Sequence, residues 1–309
     1  MDSRPLANLT TEAVNPRSKD IDRLDPLEIV RLINREDQRV IEAVAAAEQS
    51  IAATVQLVEA AFQQGGRLIY MGAGTSGRLG VLDASECPPT FSSPPELVVG
   101  LIAGGDTALR RAIEGAEDNP ELGASDLRSL RLSPADVVVG IATSGRTPYV
   151  IGGLQYAKSI GAQTVGLVCN AESELAPLCD VVICAVVGPE ILSGSTRLKA
   201  GTATKLILNT ISTAAMIRVG KSYGNLMVDL RASNKKLQAR SLRLVRTLTG
   251  LAEAEATTLL RSADSQVKLA VVMHYRAVDL DAARGLLESA GGQLRGVIGD
   301  LGRIEKAVE

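Results

Sequence analysis

Apolar positions recur at helical spacing from Leu27 onward. Leu27, Val30, Leu32 and Ile33 lead into Val40, Ile41, Val44, Ile51, Val55 and Val58. This spacing predicts helix from Asp25-Pro26 to about Gln64, closed by Gly65-Gly66. The pattern then changes to short β-branched runs without strict alternation: 68–71, 97–102, 137–141, 164–169 and 181–186. Such runs fit parallel strands covered on both faces. Helical stretches at 79–84, 107–116, 149–160 and about 200–219 lie between or after them. Strands alternating with helices predict an α/β three-layer sandwich with a parallel sheet, and ligands at the carboxyl ends of the strands. After Met227-Val228-Asp229-Leu230 the strands stop. Residues 233–309 are rich in Leu, Ala, Arg and Glu, with helical periodicity broken at Gly250, Gly285 and Gly291-Gly292. Residues 1 to about 20 are polar, contain Pro5 and Pro16, and read as an arm. The division expected is an N-terminal arm and helices over 1–54, an α/β domain over 55–222 and a small helical domain over 223–309.

Composition narrows the function classes. The chain has 309 residues, 46% hydrophobic and 22% charged, with no Trp and 2% aromatics, so its core must be built from Ala, Val, Leu and Ile. A net charge of −2 and a pI near 5.7 argue against nucleic acid as a partner. So does the shortage of aromatic platforms for base stacking. The start Met1-Asp2-Ser3-Arg4-Pro5 lacks a basic-then-apolar signal pattern. No run of about 18 apolar residues is present, so no membrane helix is expected. Cys87, Cys169, Cys179 and Cys184 form no CxxC pair and read as reduced thiols of a cytoplasmic protein. With His274 the sole histidine, neither a transition metal nor another cofactor is called for. His274 lies in an apolar helical run and reads as a packed residue, and Cys87 as a buried thiol.

Three Gly/Ser/Thr-rich loops carry the candidate chemistry. Gly72-Ala73-Gly74-Thr75-Ser76-Gly77-Arg78 follows the first predicted strand. Thr143-Ser144-Gly145-Arg146-Thr147-Pro148 follows the third. The other is Ser193-Gly194-Ser195-Thr196-Arg197-Leu198-Lys199-Ala200-Gly201-Thr202. A strand that turns through such residues into a helix presents backbone N–H groups, hydroxyls and a positive helix end, which suits a phosphate. Gly74, Thr75, Ser76, Ser144, Gly145, Arg146, Thr147 and Ser195 are therefore the candidate substrate contacts. The first loop is not a Walker A loop, because no Gly-Lys-Ser/Thr follows, and no acidic ribose partner supports a dinucleotide fingerprint. Arg78, Arg146 and Arg197 follow the loops. Contact with phosphate and pairing at a subunit interface remain equal alternatives for them.

Two acidic stretches lie between the first two loops. Asp83-Ala84-Ser85-Glu86-Cys87-Pro88-Pro89 places a carboxylate between a helix and a predicted Pro-Pro turn. Glu114-Gly115-Ala116-Glu117-Asp118-Asn119-Pro120 is expected to close a helix that begins near Gly104-Gly105-Asp106. Carboxylates at a helix C-terminus oppose the macrodipole, which points to function rather than stability.

Taken together, these segments resemble the N-acetylmuramic acid 6-phosphate etherase family. The resemblance rests on Gly72–Gly80 continuing through Val81-Leu82-Asp83-Ala84-Ser85-Glu86-Cys87-Pro88-Pro89-Thr90, on Gly100–Gly105, Glu114–Asp118 and Val137–Ala142, on Ser144–Tyr149 and Lys199–Ala203, and on Gly224–Asp229. It runs from about residue 20 into the C-terminal helices. Departures at Asp106, Ser193 and Leu198 remove no catalytic group. The resemblance implies a sugar isomerase (SIS) fold over 55–222, a homodimer, and removal of D-lactate from a phosphorylated amino sugar to leave N-acetylglucosamine 6-phosphate during cell-wall recycling. By match of motif it assigns Glu86 as proton donor and Glu117 as the second catalytic group. Glucokinase regulatory proteins use the same fold to bind sugar phosphates without turnover, so a non-catalytic regulator stays open as an alternative, as does a SIS-type sugar-phosphate isomerase. Release of lactate distinguishes all three.

Overall fold

The computed structural model describes residues 10–230 and 235–301. The first nine residues of the expected arm lie outside that range. Two compact units are present: Met1–Ser85 with Pro95–Thr213, and Glu86–Pro94 with Ala214–Glu309.

The first unit opens with two helices, α1 (Pro26–Ala46) and α2 (Glu48–Gln63). Asp25 caps α1 by accepting from the Glu28 N–H, and Glu28 reaches back to the Asp25 N–H, with Pro26 at the first helical position. The single helix expected here is thus interrupted at Ala47. Five parallel strands follow: β1 (Leu68–Gly72), β2 (Val98–Ile102), β3 (Val137–Ile141), β4 (Gln163–Val168) and β5 (Val181–Cys184). Their order is β2-β1-β3-β4-β5. The connecting helices are α3 (Gly74–Phe91), α4 (Gly105–Arg110), α5 (Pro120–Ser129) and α6 (Pro148–Ile160). The last helix, α7 (Lys199–Arg218), follows β5 and crosses from the first unit into the second.

β1 and β3 are buried along their whole length, as their unbroken apolar sequences require. Alternate residues of β1 serve opposite faces. Ile69 and Met71 join Val138, Leu127, Tyr149, Val150 and Leu154 in a core shared with α5 and α6. Tyr70 points the other way: its hydroxyl donates to Asp83 on α3, and Asn209 and Ser212 of α7 donate to that same carboxylate. Helices therefore cover both sheet faces, and the three-layer α/β sandwich holds.

The second unit is helical, with α8 (Lys235–Thr249), α9 (Glu253–Ser262), α10 (Val267–Arg276), α11 (Leu280–Ser289) and α12 (Leu294–Ile298). Its own core gathers Val245, Leu248, Ala256, Val267, Ala270, Val271, Ala283 and Leu294. Gly250, Gly291 and Gly292 end helices with positive φ, but Gly285 lies inside α11 and breaks nothing. Further breaks fall at Ser265 and Ala277, non-glycine residues with positive φ that give no sequence signal.

Candidate functional site at the carboxyl ends of β1 and β3

The sheet order reverses between β1 and β3. The chain leaves β1 for α3 on the Tyr70 face and leaves β3 for α6 on the Met71 face, where a Cβ on Gly153 would fall 2.0 Å from the Met71 methyl. Diverging connections open a crevice at the strand ends, the usual ligand position in such sheets. The first two Ser/Gly loops both lie there.

In the first loop the glycines answer to backbone packing. A Cβ on Gly72 would stand 2.9 Å from the Gly77 nitrogen, and one on Gly77 would stand 2.6 Å from the Gly72 oxygen. Gly74 has φ +53°, in the left-handed region. The tight turn brings Gly74, Thr75 and Ser76 into the first turn of α3, where amide N–H groups have no intrahelical acceptor. Arg78 is engaged elsewhere. Its Nε and Nη2 donate to the Leu109 and Ala108 carbonyls at 3.1 and 2.7 Å, closing the C-terminal end of α4.

The second loop begins α6 at Pro148, and Thr147 at its N-cap makes no side-chain capping bond. Gly145 has φ +74°, and its carbonyl accepts from the Ser173 hydroxyl at 3.2 Å. Arg146 faces Glu174 at 3.4 Å and lines a shallow pocket of about 570 Å³ with Glu172 and Ser173.

The third loop differs. Glu190 is fully buried and accepts from the Lys199 and Ala200 N–H groups at 3.0 and 2.9 Å. Burial raises its pKa more than these donors and Lys199 lower it. The chain's own carboxylate therefore occupies the N-terminus of α7. Ser195 lies half-buried ahead of that turn. A Cβ on Gly201 would stand 3.5 Å from the Thr75 methyl, so the first turn of α7 abuts the first loop.

Two expectations about the acidic stretches change. Pro88 and Pro89 lie inside α3, so Glu86 is an exposed helical residue rather than one on a turn. Helix α4 ends at Arg110, and Glu117 and Asp118 occupy a short 3-10 turn just ahead of α5. Asn119 caps α5 by accepting from the Leu122 N–H at 3.2 Å, with Pro120 at the first helical position. Acidic residues before a helix N-terminus complement its dipole, so the argument that they sit at an unfavourable helix end falls.

A pocket of about 220 Å³ joins Gly74 and Arg78 of α3 to Glu114 and Glu117. It brings one candidate phosphate residue and one candidate catalytic carboxylate together within the first unit. Glu86 belongs to the second unit. Among the described residues no cluster of His, Cys, Asp and Glu forms a metal site. Burial pushes the Cys169 and Cys179 thiols up to about 12, which keeps them protonated near neutrality. His274 packs edge-on against Tyr275 in α10. Sequence reasoning missed Glu190 and the buried Asn170. Each is one polar residue within or beside an apolar run; the partners of Asn170 include Thr10 and Thr11, remote in the chain, while those of Glu190 lie nine and ten residues on.

The parallel order and the loops at its reversal define a SIS domain. Residues 121–214 match the SIS domain profile, and residues 50–158 match the N-terminal SIS domain of glucokinase regulatory protein. Residues 224–280 match the C-terminal lid domain of glucokinase regulatory protein. A phosphoheptose isomerase from Francisella tularensis has the same fold, with a TM-score of 0.51 and 18% identity over 63% of this chain and 100% of its own. Much closer in sequence is the N-acetylmuramic acid 6-phosphate etherase of Rhodopirellula baltica, 57% identical over 94% of this chain and 96% of its own length. That of Rhizobium rhizogenes is 59% identical over 95% of each. The chain belongs to the N-acetylmuramic acid 6-phosphate etherase family.

Proposed function

We propose that this chain removes the D-lactyl group of N-acetylmuramic acid 6-phosphate, leaving N-acetylglucosamine 6-phosphate, as a cytoplasmic homodimer serving cell-wall recycling. The near-complete coverage of etherases at 57–59% identity carries the assignment.

An unactivated ether resists direct hydrolysis because an alkoxide leaves poorly. Opening the sugar ring makes C1 an aldehyde, so the C2 proton becomes acidic and the lactyl ether lies β to the carbonyl. Glu117 takes the C2 proton. Glu86 protonates the ether oxygen as the C3–O bond breaks, and lactate leaves with that oxygen. Glu86 then takes a proton from water, whose oxygen adds to C3, and C2 is reprotonated. Two carboxyl groups suffice, each contributing roughly 10²–10⁴-fold. Hydroxyl and amide groups of Thr75, Ser76, Ser144, Gly145 and Thr147 hold the phosphorylated sugar, with Arg146 and Ser195 beside them. The absence of a side-chain cap on α6 supports this reading for the second loop.

The test is turnover of N-acetylmuramic acid 6-phosphate in labelled water, with D-lactate assayed. Heavy water should label C2, and ¹⁸O-water should label the sugar's C3 oxygen and leave lactate unlabelled. Glu117→Gln should abolish C2 exchange, whereas Glu86→Gln should slow lactate release roughly 10²-fold or more while slow C2 exchange persists. Absence of lactate release would refute the activity. ¹⁸O in lactate would refute elimination, and reversed behaviour of the two variants would exchange the roles of the glutamates.

A further inference from the structure

Asn170 lies two residues beyond the end of β4 and is 2% exposed. Its Nδ2 donates to the Thr143 carbonyl at 2.8 Å and to the Thr11 hydroxyl at 3.1 Å. Its Oδ1 accepts from the Thr10 hydroxyl at 2.7 Å and from the Thr11 N–H at 3.4 Å. The amide cannot be turned over, because a carbonyl oxygen faces one side and an N–H faces the other. Both donors and both lone pairs are in use.

The Thr143 carbonyl also accepts from the Cys169 N–H at 3.0 Å, so it too has two donors. That carbonyl and the Ser144 N–H belong to one planar peptide group. Two donors on the carbonyl fix the plane, and the plane fixes where the Ser144 N–H points. The N-terminal segment is itself anchored. Thr11 is fully buried, and the Asn15 side chain donates to Glu36 at 2.8 Å and to the Pro189 carbonyl at 3.3 Å.

We infer that Asn170 is a positioning residue for substrate phosphate, acting through the Thr143–Ser144 peptide and itself locked by Thr10 and Thr11. The N-terminal segment thereby becomes part of the binding site without touching the ligand. The inference rests on the proposed contact between Ser144 and the phosphorylated sugar.

The test is steady-state kinetics of the full chain on N-acetylmuramic acid 6-phosphate, with inorganic phosphate as a competing probe. Ser144→Ala should raise KM and the phosphate inhibition constant roughly tenfold, the loss of one hydrogen bond to a charged group. Asn170→Ala should raise both by a comparable factor, with a smaller change in kcat. Thr11→Val keeps the shape and removes one acceptor, and should raise KM roughly twofold to threefold. It carries the test if Asn170→Ala fails to fold. An ordinary Ser144→Ala effect with unchanged KM in Asn170→Ala and Thr11→Val would overturn the inference alone. An unchanged KM in Ser144→Ala would instead remove the phosphate contact on which the inference rests.

Discussion

Glu36 and Lys199 show how single buried charges brace the third loop. Glu36 on α1 is 2% exposed and Lys199 is 1% exposed. The Lys199 ammonium donates to Glu36 at 3.0 Å and to the Pro189 carbonyl at 2.7 Å, while Arg17 and Asn15 also bond Glu36. Burial alone would raise the Glu36 pKa, but hydrogen bonds from Arg17, Lys199 and Asn15 outweigh it and hold the group at about 2. A folded value below the unfolded one gives stability that is complete above about pH 4.5 and lost as pH falls toward 2. The linkage is on the order of 3 kcal/mol. Lys199→Met should destabilise the protein by about 1–3 kcal/mol near neutrality, since it leaves the buried carboxylate with Arg17 and Asn15 alone. It should also shrink the acid-limb loss, because Glu36 then titrates nearer its ordinary value. Urea midpoints measured from pH 7 to 2 for both proteins check this. Parallel curves would show that Lys199 does not set the Glu36 charge state.

At the scale of elements, the chain discloses its strands more readily than its helix ends. The run Val137–Ile141 is mostly β-branched, lies between Asp136 and the Thr143-Ser144-Gly145 loop, and the strand there has the same limits. Helix α3 was harder to read, because Pro88-Pro89 looks like a terminator yet falls within the helix. The start of α5 was marked by Asn119-Pro120, a cap followed by a first-turn proline, but the preceding carboxylates drew the reading toward a helix end. The Ser/Gly loops after β1 and β3 were legible as candidate ligand loops because their residues are contiguous. Asn170 was not, because fold topology alone brings Thr10, Thr11 and Thr143 to it, and nothing in the sequence around Glu190 marks the Lys199 and Ala200 N–H groups as its partners. A second such dependence joins α5 and α6. A Cβ on Gly152 of α6 would stand 2.0 Å from the Pro120 carbonyl, and one on Gly123 of α5 would stand 2.0 Å from the Tyr149 carbonyl. Backbone atoms give way poorly, so Gly152→Ala must part the helices, at about 1–3 kcal/mol. Pro120 lies three residues after Glu117, so the displacement should also reach the carboxylate. The expected result is a lowered melting temperature together with a fall in kcat. Wild-type kcat and melting temperature in Gly152→Ala would mean that the two helices separate without cost.

At the scale of the whole molecule, the proposed homodimer has a physical motive in α1. Leu32, Glu36, Val40 and Ala43 form the buried face of that helix. Leu27, Val30 and Ile41 remain 56%, 51% and 63% exposed. Steps of three and eleven residues put these three on one stripe, since both are close to whole helical turns. These three exposed apolar side chains are surplus to the first unit's own core, and covering them removes apolar surface worth roughly 25 cal/mol per Å² from water. Light scattering at micromolar concentration should therefore give twice the chain mass of 32.3 kDa. Replacing Leu27, Val30 and Ile41 together by Glu should shift the mass toward that of a single chain. Because all three side chains are exposed, the variant should keep its melting profile at concentrations where the wild type is dissociated. A monomeric wild type would refute the dimer. A triple variant that still dimerises would leave the dimer standing and remove α1 from its interface.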